Sequence, residues 1–195
     1  MPSSPDAVSA FELASSLQAR FVNKLENVAN RHGQSVSFEE TKWLRDEGLH
    51  GGGNRFTAPE GSIFNRASVN VSQIHYDDQP DKKLGSATAI STIIHPGNPH
   101  APSVHIHISW TEMKNGNGSW RIMGDLNPSV VNEGYRDRFT AAMKEAAPNQ
   151  FNEAAAQGDR YFYIPGHNRH RGVSLFFLES YHTDSRATVL ILALQ

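Results

Sequence analysis

Four histidines, His95, His100, His105 and His107, lie in or beside the connector His95-Pro96-Gly97-Asn98-Pro99-His100-Ala101-Pro102. Each proline fixes its own φ and pushes the residue before it away from helix, so the connector is a stiff, defined loop between two β-branched runs. A loop with ionisable groups between two core strands is a usual place for a scaffold to carry chemistry. In Val104-His105-Ile106-His107-Ile108 the side chains of a strand alternate, which puts both imidazoles on one face. With Glu112 they read H-x-H-x4-E, a cupin-type spacing whose imidazoles and carboxylate suit iron, manganese or nickel, and His167 in Ile164-Pro165-Gly166-His167 would be a fourth ligand. In a chain with ten histidines such a pair also arises without any metal.

Three further groups carry potential chemistry. Asp125 in Gly124-Asp125-Leu126-Asn127-Pro128 either caps a turn before the proline or stands at a strand end as a carboxylate facing a cleft, there holding N–H groups or acting as a general base. The spacing alone favours the turn. His50-Gly51-Gly52-Gly53-Asn54-Arg55 matches neither a dinucleotide-binding G-x-G-x-x-G nor a P-loop. It is expected to be a flexible loop, whose functional form would be a flap bringing the planar fork of Arg55 to a carboxylate. Arg160-Tyr161-Phe162-Tyr163 and Arg169-His170-Arg171-Gly172 interleave basic and aromatic residues, as single-stranded nucleic-acid sites do. The net charge of −2 and the lack of an extended basic stripe speak against a nucleic-acid partner. Trp43, Trp110 and Trp120 are expected in the core or its walls.

The elements that must position these groups follow from periodicity. Ser3 or Ser4 before Pro5 is a helix start, and Phe11, Leu13, Leu17, Phe21, Leu25 and Val28 keep near-helical spacing until Asn30 to Gly33. Strands are expected over Ser35 to Leu44, Ile63 to His75, Ala87 to Ile94, Ser103 to Trp110, Trp120 to Met123 and Val173 to Phe177. Asn115-Gly116-Asn117-Gly118 reads as a hairpin turn. Helices are expected over Glu133 to Ala147, with Tyr135, Phe139 and Met143 on one face, and from Asn149 to about Arg160. Helix, antiparallel strands, helices and strands again indicate an α+β fold.

A chain of 195 residues suits one domain with a sizeable core. With 18 basic and 20 acidic residues, any anionic ligand must be held by local arginines or lysines. The absence of cysteine excludes a disulfide scaffold, a thiol nucleophile and thiolate metal sites, and is compatible with the cytosol. No stretch approaches the roughly 18 apolar residues of a membrane span, and the start of the sequence lacks the basic and apolar regions of a signal peptide, so no membrane partner is expected. The short apolar run from Thr188 to Leu194 fits a buried strand or one side of a helix, covered by its own sheet or by another subunit.

Taken in order, these residues resemble the oxygen-dependent coproporphyrinogen III oxidase family. Ile94 to His105, with its proline-rich loop, is close to that family's most distinctive motif. Collinear matches are Trp43 with Glu47, Gly51 to Arg55, Gly61 to Phe64, Ala67 to Ser72, Ala87 to Ser91, Trp120, Gly124 to Pro128, Tyr161 to Tyr163, Arg171-Gly172 and Leu175 to Phe177. The resemblance implies a large antiparallel sheet flanked by helices, forming homodimers, in a single domain over 1–195 that lacks the C-terminal part of the family fold. It implies oxidative decarboxylation of two propionates of a tetrapyrrole, coproporphyrinogen III, to vinyl groups, with dioxygen as co-substrate and neither metal nor organic cofactor. Ser91 and His95 match substrate-pocket positions, His105 a proton donor, Asp125 the carboxylate contacting pyrrole N–H groups, and Arg171 the arginine of an Arg-Gly pair; His107 and Arg55 are further expected substrate contacts. Several positions depart from the pattern. The family has H-x-N-x-R where this chain has His105-Ile106-His107-Ile108-Ser109, so Ser109 stands in place of an arginine for a propionate; Thr140 follows Phe139 where the family has a histidine; and the histidine of a later His-Arg pair is lost or displaced by one around Gly166-His167. The corresponding alternatives are a catalytically impaired tetrapyrrole-binding or interaction protein on the same scaffold and a cupin-like metal enzyme built on His105, His107 and Glu112.

Overall fold

Alternating β-branched sequences build the centre of the molecule, and the computed structural model describes residues 2–182. Seven strands, β1 (Glu39–Leu44), β2 (Gly51–Thr57), β3 (Phe64–His75), β4 (Leu84–Pro96), β5 (Ser103–Met113), β6 (Gly118–Asn127) and β9 (Ser174–Tyr181), form one sheet in the order β1-β2-β3-β4-β5-β6-β9. Every neighbouring pair is antiparallel. The first six strands are a meander. Helices α2 (Glu133–Ala146) and α3 (Phe151–Tyr161) and the two-stranded hairpin of β7 (Tyr163–Ile164) and β8 (Arg169–His170) then lead to β9, which returns beside β6. This is the expected α+β architecture with a large antiparallel sheet.

Helix α1 (Pro5–Arg31) starts where expected: Ser4 is extended, its hydroxyl accepts from the Ala7 N–H, and Pro5 fills the first turn. Its apolar stripe, including Leu13 and Leu17, is buried against Val69, Val71, Ile90 and Ile108 of the sheet. Two buried glutamines lock this contact. Gln18 donates to the carbonyls of Asn54 (2.7 Å) and Val69 (2.9 Å), and Gln73 donates to the Ala7 carbonyl and to Thr88 Oγ1. Phe139 and Met143 of α2 cover Gly124 on the same face. Helix α3 lies along β9, where Gln157 Oε1 accepts the Glu179 N–H at 2.9 Å and satisfies a donor of that strand. The hydrophobic core therefore sits between one face of the sheet and the helices, and the alternate residues point to the opposite face.

Boundaries shift in physically interpretable ways. The expected strand from Ser35 begins only at Glu39, β6 runs on to Asn127, and β4 extends through His95 to Pro96, leaving 97–102 as the loop. The Asn115–Gly118 turn forms, with Gly116 at φ 84 and Asn115 Oδ1 accepting the Asn117 N–H. The run Thr188 to Leu194 lies outside the described residues.

The expectation of a flexible glycine loop at 51–55 is corrected: it is strand β2, between β1 and β3. Its glycines serve close approach rather than mobility. A Cβ on Gly53 would lie 2.5 Å from the Trp43 ring and 2.4 Å from the Val71 carbonyl oxygen, and one on Gly51, at φ 98, would meet the Gln73 oxygen at 2.2 Å. Trp43 can lie across the strand only because position 53 has no side chain. Gly53→Ala is therefore expected to lower stability by about 1–3 kcal/mol, the range for overpacking. Gly166→Ala, with nothing within 4 Å of its added Cβ, should be nearly neutral. Urea-unfolding midpoints of the two variants check this, and equal midpoints would refute the close-approach explanation.

Candidate active site

The antiparallel register of three strands assembles one polar cluster. Ser91 on β4 stands opposite His107 on β5, Ile93 opposite His105, and His105 opposite Asp125 on β6. Directly opposed residues project to the same face, so the cluster lies on the side away from the helices. Arg171 reaches the same face from the turn between β8 and β9. Gly172 makes that possible: at φ 81 it lets the chain run against β6, where a Cβ would come within 2.6 Å of the Leu126 carbonyl oxygen. The Val173 N–H donates to that same carbonyl, and the Arg171 guanidinium lies 5.2 Å from the centre of the Phe162 ring.

Asp125 is the hub. It is 0% exposed, and three side chains hydrogen-bond its carboxylate. Arg171 Nη2 donates to Oδ1 at 3.1 Å and to Oδ2 at 3.0 Å, and Asn127 Nδ2 donates to Oδ2. His105 Nδ1 lies 3.1 Å from Oδ2. Burial alone would push this carboxyl up. The hydrogen bonds from His105 and Asn127 and the charges of His105 and Arg171 outweigh it and hold the carboxyl below its ordinary value. Asp125 is thus ionised and compensated, as a buried charge must be.

The hydrogen bonds assign the proton positions along the His95–His105 pair. The carboxylate draws the proton to His105 Nδ1, because a charge-assisted bond is the strongest available there. His105 Nε2 is then an acceptor, and it meets His95 Nε2 at 2.9 Å, which donates. Burial first, then the charges of His105 and Arg66, keep His95 below the usual imidazole value. Burial and the charge of Arg121 do the same for His107, whose Nδ1 lies 2.8 Å from Ser91 Oγ. The result is two linked units: a His95–His105 hydrogen-bonded pair, with His95 kept neutral, backed by an ionised carboxylate, and the neutral imidazole of His107 hydrogen-bonded to a hydroxyl. With the His95 ring turned aside, His105 Nε2 can accept a proton and later return it, Asp125 stabilising the imidazolium in between.

Most expected site residues converge here: Ser91, His95, His105, His107, Asp125 and Arg171. Arg55 shares the face but stands two strands from Ser91, opposite Asn70, and is exposed. Two expectations are corrected. Asp125 does not cap a turn; it lies inside β6, since that strand continues to Asn127 and buries it. The set His105, His107 and Glu112 is not assembled, because strand alternation sends Glu112 to the other face, where it accepts from Ser4 Oγ at 2.6 Å. His167 is exposed in the turn of the β7–β8 hairpin, and among the described residues no three His, Asp or Glu side chains are arranged to hold a metal ion. Sequence reasoning missed Asn127 as a carboxylate ligand; its i,i+2 spacing from Asp125 on a strand is the signal that finds it. Ser109 faces Arg121 across β5 and β6, and Arg121 pairs with Glu179. Thr140 Oγ1 bonds Ser174 Oγ at 2.8 Å, on the helix side of the sheet.

Comparison with known proteins gives a consistent result. The family model described as coproporphyrinogen III oxidase matches residues 10–194. The oxygen-dependent coproporphyrinogen-III oxidase of human mitochondria is 28% identical over 179 residues, which cover 79% of this chain and 39% of the human protein. The enzyme of that name from Drosophila melanogaster is 29% identical over 187 residues, 84% of this chain and 47% of that one. The one from Prochlorococcus marinus strain SARG is 29% identical over 194 residues, 91% of this chain and 54% of that one. The chain thus spans about half the length, or less, of these curated relatives.

The electrostatics of Asp125 generate a pH prediction. Its folded-state value lies below its unfolded one, so the unfolded chain binds the extra proton. The contribution of the cluster to stability is complete above the unfolded carboxyl value of about 3.9 and is lost as pH falls through the folded value. The stability difference between wild type and Asp125→Asn, from urea unfolding at stepped pH, should hold steady down to about pH 4 and shrink below it. A difference that does not change with acid would mean Asp125 is not ionised in the fold.

Proposed function

The chain belongs to the coproporphyrinogen III oxidase family, and we propose that it carries out oxygen-dependent oxidative decarboxylation of coproporphyrinogen III, a step of haem and porphyrin biosynthesis. Each propionate loses its carboxyl as carbon dioxide and a hydrogen from the carbon next to the ring, giving a vinyl group. The two electrons released reduce dioxygen, which leaves as hydrogen peroxide. The reading takes dioxygen as co-substrate with no metal or organic cofactor, and a homodimer in the cytoplasm as the working form.

The single observation that carries this reading is the hydrogen-bonded line His95–His105–Asp125–Arg171 on the face of the sheet away from the helices. A reduced pyrrole is itself reactive toward oxygen, so the protein has to orient it and handle its protons. Asp125 has no exposed surface, whereas the His105 side chain is 21% exposed. We therefore assign proton exchange with the substrate to His105 at Nε2, assisted by His95. Asp125 sets the His105 tautomer and supports its charged form, and Arg171 holds Asp125. Ser91 and His107, one register step along the same face, supply neutral hydrogen-bonding groups to the ring periphery.

A second reading is a tetrapyrrole binder without turnover, favoured by Ser109 at the expected position of a carboxylate-holding arginine while the facing Arg121 is engaged by Glu179. Aerobic incubation of the full chain with coproporphyrinogen III, followed by chromatography of the oxidised porphyrins, separates the two. The first reading expects monovinyl and divinyl products that depend on oxygen and fall about 10²- to 10⁴-fold in Asp125→Asn, the usual range for losing general acid–base catalysis. No product alongside tight binding of coproporphyrin III would leave the second reading. Unchanged turnover in Asp125→Asn would remove the role assigned to Asp125.

A further inference from the structure

Arg66 takes no part in the chemistry assigned above, yet it stands beside it. On β3 it is in register opposite His95, on the face that carries the histidines, and it is exposed. Its charge is among the causes that keep His95 neutral, so the guanidinium lies within electrostatic reach of that ring. Of the other arginines on this face, Arg121 is paired with Glu179 and Arg171 with Asp125, while Arg55 stands a strand further out on β2. On α2, Arg136 is paired with Glu133. Among the described residues, no hydrogen bond or ion pair engages Arg66.

The neighbourhood matches a particular ligand chemistry. Ile93, 44% exposed, stands between Ser68 of β3 and His105 of β5 on the same face. From Arg66 on β3 to Asp125 on β6 the face reads cation, exposed apolar side chain, imidazoles and carboxylate over three strand spacings, roughly 14 Å. A flat ring can lie on the apolar centre, while a carboxylate at its edge meets a planar fork that has no other partner.

We propose that Arg66 binds a carboxylate side chain of the tetrapyrrole and so selects substrates that carry an acid at that edge of the ring. The proposal rests on the tetrapyrrole reading of the site. It places the carboxylate-holding cation on β3, across the sheet from Ser109 on β5, the position at which the family resemblance implies an arginine. No hydrogen bond or ion pair among the described residues ties this charge to the fold, which leaves it free for ligand recognition.

The test is fluorescence titration of the full chain with coproporphyrin III, the oxidised and stable form of the substrate. Arg66→Gln should weaken binding about ten- to hundredfold, the value of one charge-assisted hydrogen-bonded contact. Arg66→Lys, keeping the charge without the fork, should recover part of it, and Arg136→Gln on α2, the same charge change elsewhere, should bind like wild type. A porphyrin of the same ring with its carboxylates esterified should bind wild type and Arg66→Gln equally. Equal binding of coproporphyrin III by wild type and Arg66→Gln would overturn the proposal and leave the tetrapyrrole reading standing. Failure of wild type to bind coproporphyrin III at all would overturn both.

Discussion

A carboxylate without solvent must be given every compensating interaction by the fold, and Asp125 is the point where that requirement is met. Desolvation opposes its charge; Arg171, His105 and Asn127 restore it. Each partner comes from a different constraint. His105 arrives by the β5–β6 register, Asn127 by alternation within β6, and Arg171 by a turn that needs Gly172 to press against Leu126. Removing any one leaves a buried charge short of partners, so strand pairing, the return of β9 and the tautomer of His105 depend on the same interaction.

The sheet separates stability from chemistry by its two faces. On one, Val69, Val71, Ile90, Ile108 and Phe176 are sealed by helices, and polar groups there, such as Gln18 and Gln73, are satisfied internally. On the other, polar side chains are organised in pairs across strands: Ser91 with His107, His95 with His105, His105 with Asp125. Because directly opposed residues share a face, a rigid sheet positions these pairs without a loop having to hold them. The same rigidity keeps a charged hub beside two imidazoles that burial holds neutral, a combination suited to moving a proton over a short path.

Glycine does structural work at the edges of this arrangement. The three consecutive glycines of β2 admit the Trp43 ring and neighbouring backbone at distances no Cβ would tolerate. Trp43 Nε1 then reaches Asn70 Oδ1 at 3.4 Å on the face that bears the site. Close backbone approach, not mobility, accounts for this glycine-rich segment.

Much of the architecture was legible in the residues. The periodicity of α1, the β-branched runs of β3, β4 and β5, the Asn-Gly hairpin and the α+β order follow from local preference, and strand alternation alone put His105 and His107 on one face. The ordered motifs carried the family resemblance and with it Ser91, His95, Asp125 and Arg171. Local reading failed where the deciding contact was distant in sequence. A glycine run looks like a loop until Trp43 and Val71 are known to press on it, and Asp125 before a proline looks like a turn cap until Arg171, 46 residues on, is known to neutralise it. Glu112 looked like a metal ligand by spacing, yet the period of two already sends it to the opposite side from His105. Sequence by itself determined which residue types face one another along a strand, because that depends only on the pleat. Which strands pair, in what register, and which buried charge finds its partner were decided by tertiary structure, because those energies exist only once distant segments are brought into contact.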